Sequence, residues 1–382
     1  MEFDSLLKQR QSENRYRRRE NLSSAQDTHV VIDGKRLLSF CSNDYLGLAN
    51  DPSVIQAMVN ATQSWGVGSG AAHLISGHSA LHHQLEQEIA EFTGRSRALL
   101  FSTGYMANLG VITALCGKGD LVVEDKLNHA SLIDGGLYSG ATFKRYRHAD
   151  MRHLEKILIN ATQQQRLIVT DGVFSMDGDL APLNEIMPLA QKYSATVLVD
   201  DAHGLGVLGV QGGGVCEQFS LHEDDQPILM GTLGKAFGVF GAFIAGSDSL
   251  IEWLIQQARS YIYTTALPSA LAAASLESLR IIRTEPQRRE HLHKLIQYFR
   301  EAANAMGLQL LDSPSPIQPV ILGDEQIALK WSQHLRDRGL LVKAIRPPTV
   351  PPGTSRLRIT FSAKHSLNDV KQLLETMKEL CP

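Results

Sequence analysis

The sequence predicts an α/β protein: a large domain on a mostly parallel seven-stranded sheet, then a smaller C-terminal α/β domain. Two observations carry this. From Ala98 onward, apolar runs at 97–102, 120–124, 142–146, 166–171, 196–200, 227–231 and 239–245 are interleaved with helical stretches at 104–116, 130–138, 151–161 and 183–193. Continuous apolar strands separated by helices mark a parallel sheet covered on both faces. After 245 the alternation stops. Residues 248–283 read as long amphipathic helices interrupted near Pro268, and Pro314/Pro316 open a new set of elements. A chain of 382 residues has room for two domains.

Taken in order, residues 1–28 read as a charged helix carrying Arg15 and the run Arg17-Arg18-Arg19, a solvated face or an anion-binding arm. Val30 to Phe40 alternates about Asp33-Gly34, the pattern of a hairpin. Pro52 opens a helix to about Trp65, and Gly66-Val67-Gly68-Ser69-Gly70 is a loop before a helix from Ser79 to Phe92. The C-terminal elements are a strand at 317–322, a helix at 325–338, a strand near 340–345, a proline-rich loop at 346–352, a strand at 356–361 and a last helix. The predicted divisions are 1–45 for the N-terminal helix and hairpin arm, 46–285 for the large domain and 286–382 for the small one.

Composition narrows the function. A formal net charge of -3 gives no reason to expect nucleic acid or an anionic membrane as partner. No apolar run reaches membrane-span length, and the first twenty residues lack an apolar signal core, so a soluble cytoplasmic protein is predicted. The four cysteines form no C-x-x-C pair, which argues against a zinc site or a disulfide framework; no metal is predicted.

The chemistry concentrates at two strand ends. Thr232-Leu233-Gly234-Lys235 lies between two apolar runs, where burial lowers a lysine's pKa and favours a Schiff base with a carbonyl. Alone, a surface lysine at a strand end is the simpler reading. Upstream, Val197-Leu198-Val199-Asp200-Asp201-Ala202-His203-Gly204 delivers a carboxylate to a strand's carboxyl end, where open α/β sheets bind ligands. Pyridoxal phosphate requires both a Schiff-base lysine and an Asp facing its ring nitrogen.

Other motifs are weighed against simpler roles. Gly204-Leu205-Gly206-Val207-Leu208-Gly209 matches G-x-G-x-x-G, but Val210-Gln211-Gly212-Gly213-Gly214 is poor helix material, so a dinucleotide site is rejected. Gly234-Lys235 lacks the first glycine and the Ser/Thr of a P-loop. Phe101-Ser102-Thr103-Gly104-Tyr105-Met106-Ala107-Asn108 ends a strand and starts a helix, an ordinary cap or a phosphate site. His129 is a capping histidine or a ring that stacks on a cofactor. Ser175 is a turn serine or a hydroxyl that reaches it. Arg356 and Arg358 share one strand face, solvated or receiving a substrate carboxylate.

Together, Ser42-Asn43-Asp44-Tyr45-Leu46-Gly47-Leu48, Asp171-Gly172-Val173-Phe174-Ser175-Met176-Asp177-Gly178-Asp179, Asp200-Asp201-Ala202-His203-Gly204 and Thr232-Leu233-Gly234-Lys235 resemble the α-oxoamine synthases. The resemblance covers nearly the whole chain. It implies the aspartate-aminotransferase-like fold (fold type I), pyridoxal 5'-phosphate as cofactor, and decarboxylative joining of an amino acid to an acyl thioester. Within that family, Ala344-Ile345-Arg346-Pro347-Pro348-Thr349-Val350-Pro351 with Arg356-Leu357-Arg358-Ile359-Thr360 is most similar to the biotin-pathway branch. That branch implies L-alanine with pimeloyl-CoA or pimeloyl-acyl carrier protein. Sister reactions with glycine or serine, and a non-catalytic pyridoxal-fold subunit, are the alternatives. The resemblance further implies that Lys235 holds the cofactor and moves the substrate α-proton. Asp200 would pair with the ring nitrogen, His129 stack on the ring, and His203 and Ser175 lie near the 3-oxygen. Gly104, Tyr105 and Thr232 would line the phosphate and ring side. Thr264 or Thr265 would reach the neighbouring subunit's phosphate in a homodimer with shared sites. Asn43 and Arg358 would bind the amino-acid carboxylate, and Arg17 the far acyl carboxylate. Where relatives read Gly-Ser-Gly-Gly-Ser, this chain has Gly68-Ser69-Gly70-Ala71-Ala72-His73, whose added β-carbons restrict the backbone.

Overall fold

Seven apolar runs become one sheet. The computed structural model describes residues 3–13, 15–221 and 227–381. After the hairpin strands β1 (His29–Ile32) and β2 (Lys35–Ser39) come β3 (Arg97–Phe101), β4 (Leu121–Asp125), β5 (Thr142–Tyr146), β6 (Arg166–Asp171), β7 (Thr196–Asp200), β8 (Ile228–Thr232) and β9 (Ala242–Gly246). The large sheet has the order β3-β9-β8-β7-β6-β4-β5. Only β9 runs against its neighbours. Its central strands are buried nearly end to end, because helices cover both faces. The carboxyl ends of six strands therefore open on one edge, together with the amino end of β9.

The C-terminal region supplies β10 (Ile317–Gly323), β11 (Leu340–Leu341), β12 (Lys343–Ile345) and β13 (Ser355–Thr360). β13 lies between β10 and β12, antiparallel to both, while β11 leaves this sheet and pairs in parallel with β2 of the hairpin. The single strand expected near 340–345 is thus two, belonging to different sheets. The loop after β2 is tied to the C-terminal region: Thr360 N–H donates to Phe40 O at 2.8 Å, Ala363 N–H to Tyr45 O at 2.8 Å, and the Ser362 hydroxyl to Asp44 O at 2.7 Å. Phe40, Tyr45, Phe299 and Phe361 are fully buried in one apolar cluster.

The large-sheet strands lie within three residues of their expected ends. Two further expectations differ. The N-terminal helix covers only Phe3–Ser12 and buries no residue. Its apolar residues Phe3, Leu6 and Leu7 are left exposed, so no packing extends the helix into the run of arginines beyond it; Leu22 instead bridges to Ile32 of β1. The segment between 286 and 312, given no element from sequence, contains the 20-residue helix Pro286–Ala305.

Candidate active site

Sheet register assembles the site. Asp171, last in β6, pairs with Asp200, last in β7, and Asp200 with Met230 of β8. Asp200 is buried; Asn108 Nδ2 donates to its Oδ2 at 2.7 Å and Ala202 N–H to its Oδ1 at 3.0 Å. Asn108 projects from the helix Gly104–Leu115 and also reaches Ser131 Oγ at 2.9 Å. Lys235 sits half-buried in the loop 233–241 between β8 and β9. Burial pushes its pKa down to about 8, against the opposing charges of Asp200 and Asp171 and alongside the repulsion of Arg358. Burial and the Asp200 charge raise Asp171 well above the usual carboxylate range. A lysine that titrates near neutral pH can carry a proton in either direction.

His129 caps the helix Ala130–Tyr138, because the β4 turn ends there. Its N–H donates to Asp171 Oδ2 at 2.8 Å, and its Nδ1 lies 2.7 Å from Ser131 Oγ. That bond fixes the ring while leaving it accessible. Burial lowers its pKa; Asp200 opposes this and Lys235 adds to it.

A second group faces Lys235 from the C-terminal side. Arg358 Nε donates to Ser175 O at 2.6 Å and its Nη2 to Asn43 Oδ1 at 3.3 Å. Tyr45 OH donates to the same Asn43 oxygen at 3.2 Å and lies 2.7 Å from His203 Nδ1. Burial, then the charges of Lys235, Arg358 and His129, depress His203 well below the usual imidazole range, so the ring is neutral. Arg356, the alternative carboxylate receptor, is buried and paired with Asp177. The face shared by two arginines thus leaves Arg358 available.

Thr103 caps the helix opened by Gly104, accepting from Met106 N–H at 3.2 Å. A β-carbon on Gly104 would come within 2.9 Å of Thr232 Cγ2, and Thr232 Oγ1 is buried without a hydrogen-bond partner. An orphan hydroxyl beside a helix N-terminus suits an anion. The exposed Tyr105 hydrogen-bonds Asp134. Thr265 is far away in the chain but adjacent in space: Ser102 Oγ donates to Thr265 O at 3.5 Å, and Thr264 precedes it. The Ala71-Ala72 departure pairs with this same segment, through Ala266 N–H to Ala71 O at 3.0 Å and an Ala72–Thr265 bridge. Arg17 lies exposed on the N-terminal arm, and among the described residues no hydrogen bond or ion pair ties it to the cleft.

The structure adds Asn108, Tyr45 and Asp171 to the residues expected from sequence. All three lie inside motifs quoted above, yet their partners are distant in the chain, so spacing gave no sign of them.

A lysine of lowered pKa, a carboxylate registered at the sheet edge, and an unpartnered hydroxyl beside a helix start fit the aldehyde, ring nitrogen and phosphate of pyridoxal phosphate. Fold and chemistry define a fold type I pyridoxal-phosphate enzyme. The family model Aminotransferase class I and II matches residues 35–377. An 8-amino-7-oxononanoate synthase of Methylococcus capsulatus is 58% identical over 384 residues, covering 100% of this chain and 99% of its own. One of Pseudomonas putida is 59% identical over 384 residues, covering 100% of this chain and 98% of its own. A solved serine palmitoyltransferase from S. paucimobilis with bound PLP-myriocin aldimine has a TM-score of 0.93 at 34% identity, over 99% of this chain and 96% of that one. The chain belongs to the class I and II aminotransferase family and, within it, to the 8-amino-7-oxononanoate synthases.

Proposed function

We propose that the protein condenses a pimeloyl thioester with L-alanine, giving 8-amino-7-oxononanoate, carbon dioxide and free thiol. The observation that carries this reading is Lys235, a lysine titrating near pH 8 between the Asp200 carboxylate and the Arg358 guanidinium. Bound pyridoxal phosphate supplies an electron sink for the pair left on the amino-acid α-carbon. Lys235 would hold the cofactor through its aldehyde carbon and would move the proton at the α-carbon. Asp200, fixed by Asn108 and Ala202, keeps the ring nitrogen protonated. His129 would lie against the ring, His203 and Ser175 near its 3-oxygen, and Gly104, Tyr105 and Thr232 about the phosphate.

Arg358 and Asn43 would hold the alanine carboxylate, and Arg17 the distal acyl carboxylate. A cavity of about 590 Å³, lined by apolar Leu22, Val30 and Val239 together with polar Ser42, Asn43 and Asp44, has room for the acyl methylenes. In the balanced reaction the alanine α-carbon bonds to the acyl carbonyl carbon and the thiol leaves. The bond from the α-carbon to the carboxylate then breaks as carbon dioxide, and a proton fills its place.

A homodimer belongs to this reading, with Thr264 or Thr265 reaching the partner's cofactor phosphate. Exposed Trp65, Val67, Leu74 and Ile75 flank the segment that pairs with Thr265 and support an apolar interface there. A cytoplasmic location fits four free cysteines, and no helix among the described residues is long and apolar enough to cross a membrane. The test is thiol release from pimeloyl-CoA by the cofactor-loaded protein with L-alanine, glycine and L-serine in parallel. Release dependent on L-alanine is expected. Release with glycine or serine alone would move the reading to a sister reaction.

A further inference from the structure

His148 has no part in the chemistry above, yet it is built into a strained and charged corner. It follows β5, half-buried, with Nδ1 3.0 Å from Asp125 Oδ1 and Nε2 2.9 Å from Asp179 Oδ2. An imidazole donates from both nitrogens only as the cation. Asp125 is buried at the end of β4, where the N–H groups of Leu127 and Ala149 donate to it at 2.8 and 2.9 Å. Ala149 has φ of 49°, a left-handed conformation that a non-glycine residue seldom adopts. The backbone is bent there to satisfy Asp125 while His148 reaches both carboxylates. The Phe174 ring packs edge-on to the imidazole at 4.5 Å.

Asp179 belongs to the loop 172–181. That loop closes on itself through Phe174 N–H to Asp179 O at 3.0 Å and Gly178 N–H to Phe174 O at 2.7 Å. Ser175, within it, presents the carbonyl that receives Arg358 Nε at 2.6 Å. A path of hydrogen bonds, charge-assisted at His148 and Arg358 and backbone-to-backbone within the loop, thus runs from β4 to Arg358.

We propose that His148 is a positioning residue for the amino-acid substrate: bridging Asp125 and Asp179, it fixes the 172–181 loop, and through the Ser175 carbonyl it orients the Arg358 guanidinium. This rests on Arg358 as the receptor of the alanine carboxylate. Burial alone would lower the imidazole's pKa; hydrogen bonds and charges from Asp125 and Asp179 outweigh it and raise it to about 10. The other charged groups around it are Asp177, which pairs with Arg356 of β13, and Arg147, which pairs with Asp150. Because the folded pKa lies above the unfolded value of 6.5, the clamp is complete below that pH and is lost as pH rises through about 10.

The experiment measures both Michaelis constants of the holoenzyme for His148→Gln, Asp179→Asn and the double variant. Each single change is expected to raise KM for L-alanine about tenfold, leave KM for pimeloyl-CoA within about twofold, and retain the cofactor's visible absorbance. The double variant is expected to be no worse than either single one, since both break one linkage. Histidine NMR of cofactor-free protein adds a readout free of turnover: the raised His148 titration midpoint falls in Asp179→Asn. If His148→Gln does not fold, Asp179→Asn carries the same test. An unchanged KM for L-alanine, or an equal rise for both substrates, would overturn the proposal. An unchanged KM for L-alanine in Arg358→Gln would remove instead the reading beneath it, and the proposal with it.

Discussion

Lys235 and Thr232 show how single residues are held in unfavourable states, which the proposed cofactor binding would relieve. Lys235 titrates near pH 8 in the folded chain, against an ordinary 10.5. Between those values the unfolded chain holds a proton that the folded one lacks, so stability of the cofactor-free protein gains from rising pH across that window. Chemical denaturation at pH 7.5 and 10 should show that gain in the native sequence and its loss in Lys235→Met, compared at equal pH. Lys235→Ala should reduce turnover below detection and abolish the mass increase seen after borohydride reduction with cofactor. Thr232 Oγ1 is buried without a partner. Thr232→Val removes that cost, so the cofactor-free protein should gain about 1 kcal/mol while cofactor binding weakens. A parallel loss of both would show that the hydroxyl has a partner in the cofactor-free state.

At the scale of elements, the helix Gly104–Leu115 ties the two parts of the proposed site together: its first turn faces Thr232, and Asn108, one turn on, holds Asp200. Asn108→Ala leaves a buried carboxylate oxygen without its donor and should cost about 2 kcal/mol, read by urea unfolding. Activity should fall with it, because Asp200 loses its orientation. The elements were largely legible in the sequence. Leu121–Asp125 is buried throughout and Arg166–Asp171 beyond its first residue, and the apolar runs Leu121-Val122-Val123 and Leu167-Ile168-Val169 announce such strands directly. The N-terminal helix was not, since charge and polarity fit both a surface helix and an extended arm. Nor was the split at Val342, where a chain of apolar residues changes sheets because β2 offers Leu340 and Leu341 an open edge.

Across the whole molecule, the site lies where the large sheet's carboxyl edge meets the C-terminal region. Lys235 and Asp200 could be found from sequence because each sits at a strand end in its own motif. The division of labour between Arg356 and Arg358 could not: it depends on Asp177 and Ser175, about 180 residues away in the chain. The same junction is closed by Gly178, at φ +77°, where a β-carbon would collide with the Ser313 hydroxyl and the Ile317 carbonyl. Ser313 Oγ donates to Gly178 O at 2.9 Å. Gly178→Ala should therefore destabilise the fold by about 2 kcal/mol and raise KM for L-alanine, since Arg358 and Ser175 would separate.

The central claim is that one site joins the alanine α-carbon to a pimeloyl acyl group with loss of the alanine carboxylate. The most direct measurement follows carbon-labelled L-alanine with pimeloyl-CoA and loaded protein, by mass spectrometry of the product and the released gas. The account predicts that label in the carboxyl carbon leaves entirely as carbon dioxide, whereas label in the methyl carbon stays in the amino ketone. Carboxyl label retained in the product, or carbon dioxide released without thiol, would contradict it.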